Sequence, residues 1–524
     1  MAEDPLFKPL RPLVLLTAVD QTMPSTYLRF LYIFPFPNHS ARSFAAKYLQ
    51  NRLQATIETW PILAGRVLPS ASGTYYIAIE YDNPPPKITR TEEDQNLNPK
   101  IFKQNVLDAS KGWNLHYRDV DFQNFDFQNF EAESRDPTIF SQFPHHSAPG
   151  QSCPAMGLQA NWLDGGLILC FAFHHAVADG YGIKQILERF AGRPFGGKGL
   201  GLTRPLASEW GCPSSPVIIQ PVQYDFRRYE PMALPNEEQQ THVSKTLRFT
   251  KASVDCLKMG VGLYLMMVPE GRISETDCLS AMIWICVMRS RWSRRRRVTQ
   301  RGKKGVQELR AHEVSCFNMT VNARKELYQP VPDDYIGNCH VVTTAAARVD
   351  ELLAGSGKDM EKIALIAIRI RYAIFAANAD YVHQHCSWLG FICTHTNEHF
   401  FPDASYFERM PQWAIAGEST AARDRALSPA RTGLDCNSWA DLPTNLDFGI
   451  PNVTSPRGVP EWVLKPWSTG PGTVDILPRK SVMGGAGGDW NVLLRLTKAD
   501  MDGAVREIRK LNLGFDVGLR TEGK

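Results

Sequence analysis

At 524 residues the chain is too long for one ordinary hydrophobic core, and two domains of roughly 200–250 residues are expected. With 43% hydrophobic and 21% charged residues the composition is that of a soluble globular protein. A net charge of +4, from 58 basic and 54 acidic residues, is too small to argue for nucleic acid and suits a cofactor bearing phosphates. No run of about 18 apolar residues occurs, so no membrane-spanning helix is expected. The eleven cysteines are odd in number and scattered, often inside apolar runs (Cys170, Cys286), and read as reduced packing residues of a cytosolic protein.

The first apolar segment, Leu13 to Val19 (LVLLTAV), is short and followed by Asp20, which suits a first strand rather than a signal peptide. A second apolar segment covers Tyr27 to Phe36. A helix follows from about Ser43 to Trp60, with Leu49, Leu53 and Ile57 at four-residue spacing, and it stops at PILAGRV, Pro61 to Val67. Residues 83–150 are irregular. Their tandem DFQNF, Asp121 to Phe125 and Asp126 to Phe130, is too short for a solenoid and reads as a loop insertion. Pro154 to Trp162 alternates as a strand does, and Gly165-Gly166 supplies a hairpin turn into the next strand.

That next strand is the centre of the chain. Leu167 to Phe173 are all apolar or small, as in a strand buried on both faces. Ile183, Ile186, Leu187 and Phe190 then mark the buried stripe of a helix. Between them stands HHAVADG, His174 to Gly180. Consecutive strand residues point to opposite faces, so one histidine can sit in the core while the other is offered to a cavity. A neutral imidazole beside a substrate hydroxyl can accept its proton near neutral pH. Asp179 can cap the following helix, or lock the turn if a cation meets it.

Gly201 to about Val243 is rich in proline and lacks periodicity, which is linker composition. Ser274 to Arg291 opens with a capping sequence and continues with Leu279, Met282, Ile283 and Cys286 at helical spacing. It runs into Arg294 to Arg297, then Arg301, Lys303 and Lys304. That basic tail reads as a solvated loop, with contact to a cofactor phosphate as the alternative. Val314 to Arg324, Tyr335 to Asn338 (YIGN) and a helix over Lys362 to Ala377 come next. His383, His385, Cys386, Cys393, His395, Glu398 and His399 then form a cluster whose residue types suit zinc. The spacing fits no common closed site, so a metal-free insertion is expected. NSWADLPTNLDFGIP, Asn437 to Pro451, precedes a terminal turn, strand and helix from Gly487 to Ile508. There is no G-x-S-x-G elbow, no G-x-x-x-x-G-K-[ST] loop and no H-E-x-x-H. HHAVADG is left as the constellation suited to chemistry.

HHAVADG resembles the HHxxxDG signature of the CoA-dependent acyltransferase superfamily, which includes chloramphenicol acetyltransferase, nonribosomal condensation domains and BAHD-type acyltransferases. PILAGRV, the Gln159 to Gly166 hairpin, SETDCLSAMIW with Trp284, VNAR, YIGN, Ser438-Trp439 and LDFG are similar to BAHD segments. Asn322 stands where an Asp is common, and Ile450-Pro451 replaces the W-G of DFGWG. The relaxed DFG form is that of the fungal branch with trichothecene 3-O-acetyltransferase-like proteins. The resemblance implies an α/β fold of two chloramphenicol acetyltransferase-like domains, each a mixed β-sheet with flanking helices, and an active-site channel at their interface. The domains would be 1–205 and 244–524, joined by a crossover linker, 206–243.

It further implies an O-acyltransferase that moves a small acyl group from acetyl-CoA or another acyl-CoA to a hydroxyl of a secondary metabolite. His175 would be the general base, with Asp179 beside it keeping the loop in place. His174, Gly180, Arg324 (as partner of Asp179), Asp447 and Gly449 would be supporting residues. Trp439, Ser438 and Asn338 would line the channel or serve an oxyanion. No metal, nucleic acid or membrane is implied, and a cytoplasmic monomer is expected. The alternative is a condensation-type enzyme using a carrier-bound acyl donor.

Overall fold

A computed structural model describes residues 11–21, 23–69, 76–88, 101–122, 125–146, 150–194, 242–265, 273–300, 309–327, 331–332, 334–353, 359–383, 433–468, 472–479 and 488–511. The expected linker, apart from its last two residues, and His385 to His399 of the His/Cys cluster lie outside them. The first half of the chain supplies β1 (Tyr27–Pro35), α1 (Arg42–Thr59), β2 (Phe102–Val106), β3 (Met156–Leu163), β4 (Gly166–His174) and α2 (Gly180–Phe190). The second half supplies β5 (His242–Phe249), α3 (Lys251–Leu265), α4 (Glu275–Gln300), β6 (Val314–Asn322), β7 (His340–Arg348) and α5 (Asp359–Ala376). It ends with β8 (Leu434–Ser438), β9 (Trp462–Leu464), β10 (Thr473–Ile476), β11 (Trp490–Thr497) and α6 (Lys498–Lys510).

Five strands in the order β9-β1-β4-β3-β2 form the first large sheet. β3 and β4 are the predicted hairpin, with Gly165 at a φ of 76° in the turn, a conformation glycine adopts without strain. All of β4 is buried, because both faces of the sheet are covered. One face packs Phe30, Tyr32, Leu169 and Phe171 against Leu49 and Leu53 of α1 and Ile183 and Leu187 of α2. The other packs Leu31, Ile33 and Ile168 against an aromatic layer that includes Trp113, Phe122, Phe127 and Phe140.

This second layer buries polar as well as apolar residues and corrects one expectation. β3 has no solvent face: Gln159 and Asn161 are buried, and their amide groups donate to the carbonyls of Ile139 (3.1 Å) and Phe140 (2.8 Å). The second DFQNF copy is not a loop. It opens the helix Phe127–Ser134, whose first turn is capped by the Asp126 carboxylate accepting from the Asn129 N–H. Phe127 points into the sheet, and burying an aromatic ring outweighs the polar composition around it.

The second large sheet runs β7-β6-β8-β10-β11-β5 and is mixed, with β8 parallel to both β6 and β10. Its helices include α4, opened by a reciprocal cap in which the Ser274 N–H donates to Asp277 and the Asp277 N–H to the Ser274 hydroxyl. α4 continues through the arginine run, where a solvated loop was expected. The Arg294 guanidinium is spent on Asp500 of α6 (Nε to Oδ1, 2.6 Å), so it is not free for a cofactor phosphate. Pairing with a buried carboxylate extends the helix past its apolar stripe.

The two halves share material. β9 pairs antiparallel with β1, Trp462 opposite Ile33 and Leu464 opposite Leu31, covering an edge that would otherwise present unpaired backbone. Trp439, Leu446, Phe448 and Ile450 join the core of the first half. The first apolar segment is a strand only over Leu13–Leu15, in a small sheet with Tyr76–Glu80, Arg66–Pro69 and Cys153–Pro154. Beyond it Asp20 turns the chain by accepting from the Thr17 hydroxyl (2.8 Å). Among the described residues no helix is long and apolar enough to cross a membrane.

Candidate active site

The site forms where β4 ends. The His174 N–H donates to the Ala155 carbonyl and the His175 N–H to that of Thr26, both at 2.9 Å, so the neighbouring strands fix both residues. Alternation then divides the two rings. His174 is fully buried, edge-on to Tyr27 at 5.3 Å, and its Nδ1 accepts from the Ala176 N–H. Burial, and then the charge of His175, lower its pKa to about 3. The His175 ring faces the other way and is partly exposed. Its Nδ1 is buried with no partner on another residue, and Nε2 is the nitrogen that remains accessible. Burial first, then His340 and more weakly Lys465, lower its pKa to about 4 against the opposing pull of its own carbonyl and Asp179. The imidazole is therefore neutral at physiological pH and able to take a proton.

Asp179 caps α2. Its Oδ1 accepts from the Gly182 N–H (3.0 Å) and Arg324 Nη2 (2.9 Å). Its Oδ2 accepts from Arg324 Nη1 (2.8 Å) and the Cys339 N–H (2.9 Å). Burial alone would raise its pKa; the charge and hydrogen bonds of Arg324 hold it below the ordinary carboxylate value. Four donors occupy the carboxylate, so Asp179 fixes geometry and does not itself reach a substrate. Arg324 also donates to the Gly337 carbonyl (2.7 Å) and lies over the Tyr181 ring at 4.4 Å. Asn322, where the family pattern differs, accepts from the Arg324 N–H (3.1 Å) and keeps that turn. A Cβ at Gly182 would lie 1.9 Å from the Ile336 carbonyl oxygen, so only glycine lets α2 approach the YIGN turn.

The sequence offered Trp439, Asn338 and Ser438 as channel or oxyanion groups, and hydrogen bonding removes the oxyanion role for two of them. The Asn338 amide nitrogen donates to Asp20 Oδ1 (2.9 Å) and to the His175 carbonyl (2.8 Å), holding the histidine from behind. The Trp439 indole donates to Asp475 Oδ1 (2.9 Å), whose other oxygen meets Lys465 Nζ at 3.2 Å. Neither donor is free for an oxyanion. The Trp439 ring instead packs on Phe30 (5.1 Å) and along Gly180, where a Cβ would sit 3.4 Å from it. Ser438 is exposed at the end of β8. In the LDFG turn, Asp447 accepts from the Gly449 N–H (2.7 Å), and Gly449 has a φ of 62°. The Tyr48 hydroxyl of α1 donates to the Phe448 carbonyl (3.0 Å), which ties the turn to the first half.

Sequence reasoning missed His340, Asp20, Lys465, Asp475 and Gly182. The His340 ring lies 6.4 Å from that of His175, and its Nδ1 is 4.0 Å from Asp179 Oδ2. No periodicity or motif marks His340, because only the pairing of strands far apart in sequence brings it there. The Thr17-x-x-Asp20 spacing could have been read as a helix cap, since each side chain accepts from the other residue's N–H. A cavity of about 560 Å³ between α4 and α6, lined by Trp292, Arg296, Arg506 and Lys510, contains none of these residues. Among the described residues no group of three or more His, Cys, Asp or Glu could hold a metal ion.

The chain matches the family model of the Transferase family over residues 121–384 and that of the trichothecene 3-O-acetyltransferase-like N-terminal domain over 26–192. O-acetyltransferase ptmV of Penicillium ochrochloron is 25% identical over 424 residues, 73% of this chain and 79% of that protein. Acyltransferase BOA11 of Botryotinia fuckeliana is 25% identical over 360 residues, 62% of this chain and 68% of that protein. Among solved structures, F. sporotrichioides TRI101 complexed with coenzyme A and T-2 shares the fold, with a TM-score of 0.65 at 19% identity over 94% of this chain and 97% of that one. A signature motif held at the junction of two mixed-sheet halves, together with a family match over half the chain, leads to one assignment: the protein belongs to the Transferase family, the BAHD-type acyltransferases.

Proposed function

We propose that the enzyme transfers an acetyl or other small acyl group from its CoA thioester to a hydroxyl of a small-molecule secondary metabolite. His175 Nε2 takes the hydroxyl proton as the oxygen attacks the thioester carbonyl. The tetrahedral intermediate then collapses, the C–S bond breaks, and the imidazolium returns the proton to the CoA thiolate. No acyl-enzyme forms, since both substrates meet beside one base and proximity supplies much of the acceleration. Asp179, Arg324, Asn338 and His174 are positioning residues, and Asp447 and Gly449 shape the LDFG turn. Ser438 is the candidate oxyanion donor, its hydroxyl being uncommitted among the described residues.

The observation that carries this reading is a neutral imidazole with its outer nitrogen accessible and its backbone fixed on both sides. The names of the relatives support acetyl transfer. Residues 1–205 and 244–524 act as two acyltransferase domains across the linker 206–243; the apolar core built within 247–508 supports this, although residues 439–463 of the second domain pack into the core of the first. The enzyme works without a metal, as a monomer in the cytoplasm. Thiol release from acetyl-CoA is expected only with an alcohol present, to fall by about 10²–10⁴ in His175→Ala, and to persist in EDTA. Release that ignores His175 would sink the mechanism, and acceptance of a carrier-bound donor alone would favour the condensation-type alternative.

A further inference from the structure

Beside the proposed base stands a second imidazole that neither the motif nor the fold requires. His340 opens β7, directly after the YIGN turn, and its side chain is 14% exposed. Its ring centroid is 6.4 Å from that of His175 with the planes tilted by 43°, and neither of its nitrogens has a hydrogen-bond partner among the described residues. The nearest charged atom, Asp179 Oδ2, is 4.0 Å away and already accepts from Arg324 and the Cys339 N–H. Neither nitrogen is among the fully buried unpartnered polar atoms, so the ring is open to solvent or to a bound molecule.

The spacing restricts what that visitor is. Rings this far apart cannot pass a proton directly, since a hydrogen bond spans only about 2.8–3.0 Å. Each can bond a different oxygen of one small molecule. Both rings are held neutral: burial lowers the pKa of each, and each also sits in the field of Arg324 or Lys465. Asp179 and, for His340, Asp20 pull the other way; His174 lies behind His175 in the core. A neutral imidazole offers one donor and one acceptor, which suits a hydroxyl or carbonyl oxygen and not an anion.

We propose that His340 is a specificity-determining residue of the acyl-transfer site, binding a second oxygen of the acceptor adjacent to the hydroxyl that His175 deprotonates. The acceptor class is then a vicinal diol or an α-hydroxy ketone rather than a simple alcohol. This rests on the acyl-transfer reading for its consequence in turnover, but binding is testable without it.

The test uses the full-length protein and two probes, cis-1,2-cyclohexanediol and cyclohexanol. By NMR of labelled histidine rings, the diol is expected to perturb both His175 and His340, and the mono-alcohol chiefly His175. In His340→Phe the diol loses about tenfold in kcat/KM relative to cyclohexanol, mostly through KM, and His340→Gln recovers part of it. A diol that perturbs only one ring, or equal losses on both alcohols, each overturns the inference. If neither alcohol releases CoA from the wild type, the acyl-transfer reading fails while the ring perturbations still decide this one.

Discussion

At the scale of single residues, the two adjacent histidines have opposite fates from one cause, the period of two along a strand. Both bind a proton less readily folded than unfolded, His174 near pH 3 and His175 near pH 4 against about 6.5 in the unfolded chain. Between those limits the unfolded chain carries more protons, so stability rises with pH through the window and is fully present above 6.5. Each ring adds a slope of up to about 1.4 kcal/mol per pH unit, less for His175 because part of its ring is open. Melting temperature measured from pH 4 to 7 should climb accordingly, and more gently in His174→Gln; a fall over that range would contradict the burial argument. The acid limb of kcat/KM is expected near pH 4 instead of 6.5. Arg324→Ala leaves the Asp179 carboxylate buried without its cation, and denaturant titration should show a loss of about 3–5 kcal/mol. Lysine at 324 restores the charge but not the forked pair, so only partial recovery is expected.

At the scale of elements, α2 matters for where its first turn lands. Asp179 caps it and pairs with Arg324, Gly180 lies along Trp439, Tyr181 lies under Arg324, and Gly182 touches the Ile336 carbonyl, so the cap and the first three positions are all contacts between the halves. Gly182→Ala places a methyl against rigid backbone. The helix must back away, loosening the Asp179–Arg324 pair, and a stability loss of about 1–3 kcal/mol with a larger loss of turnover is expected. Unaltered activity in a well-folded Gly182→Ala protein would show that the approach is not needed. Lys465→Met isolates the buried Asp475 that orients Trp439. The double variant Lys465→Met/Asp475→Asn should regain most of the lost stability, since a buried pair gives little net stability over an apolar one. The hairpin β3–β4 and the stripe of α2 were legible in sequence because each is set by local spacing. The full burial of β3 was not, because the layer covering its second face comes from residues 107–140.

At the scale of the whole molecule, the second half completes the first. It supplies an edge strand, part of the apolar core and the arginine that neutralises Asp179, so a chain ending at residue 205 is expected to be insoluble or to bind no CoA when tested by calorimetry. What the sequence determined unaided was the strand, motif and helix of the centre, the pairing of Arg324 with Asp179 through family resemblance, and the acyltransferase assignment. Those follow from patterns within a few residues, or from motifs whose chemistry is bound to their spelling. The tertiary structure alone decided which histidine is buried, that Trp439 and Asn338 have no donor left for an oxyanion, and that His340 stands beside His175. Whether a polar atom is free depends on partners up to 318 residues away, as with Asn338 and Asp20, and no local pattern encodes a hydrogen bond across that distance.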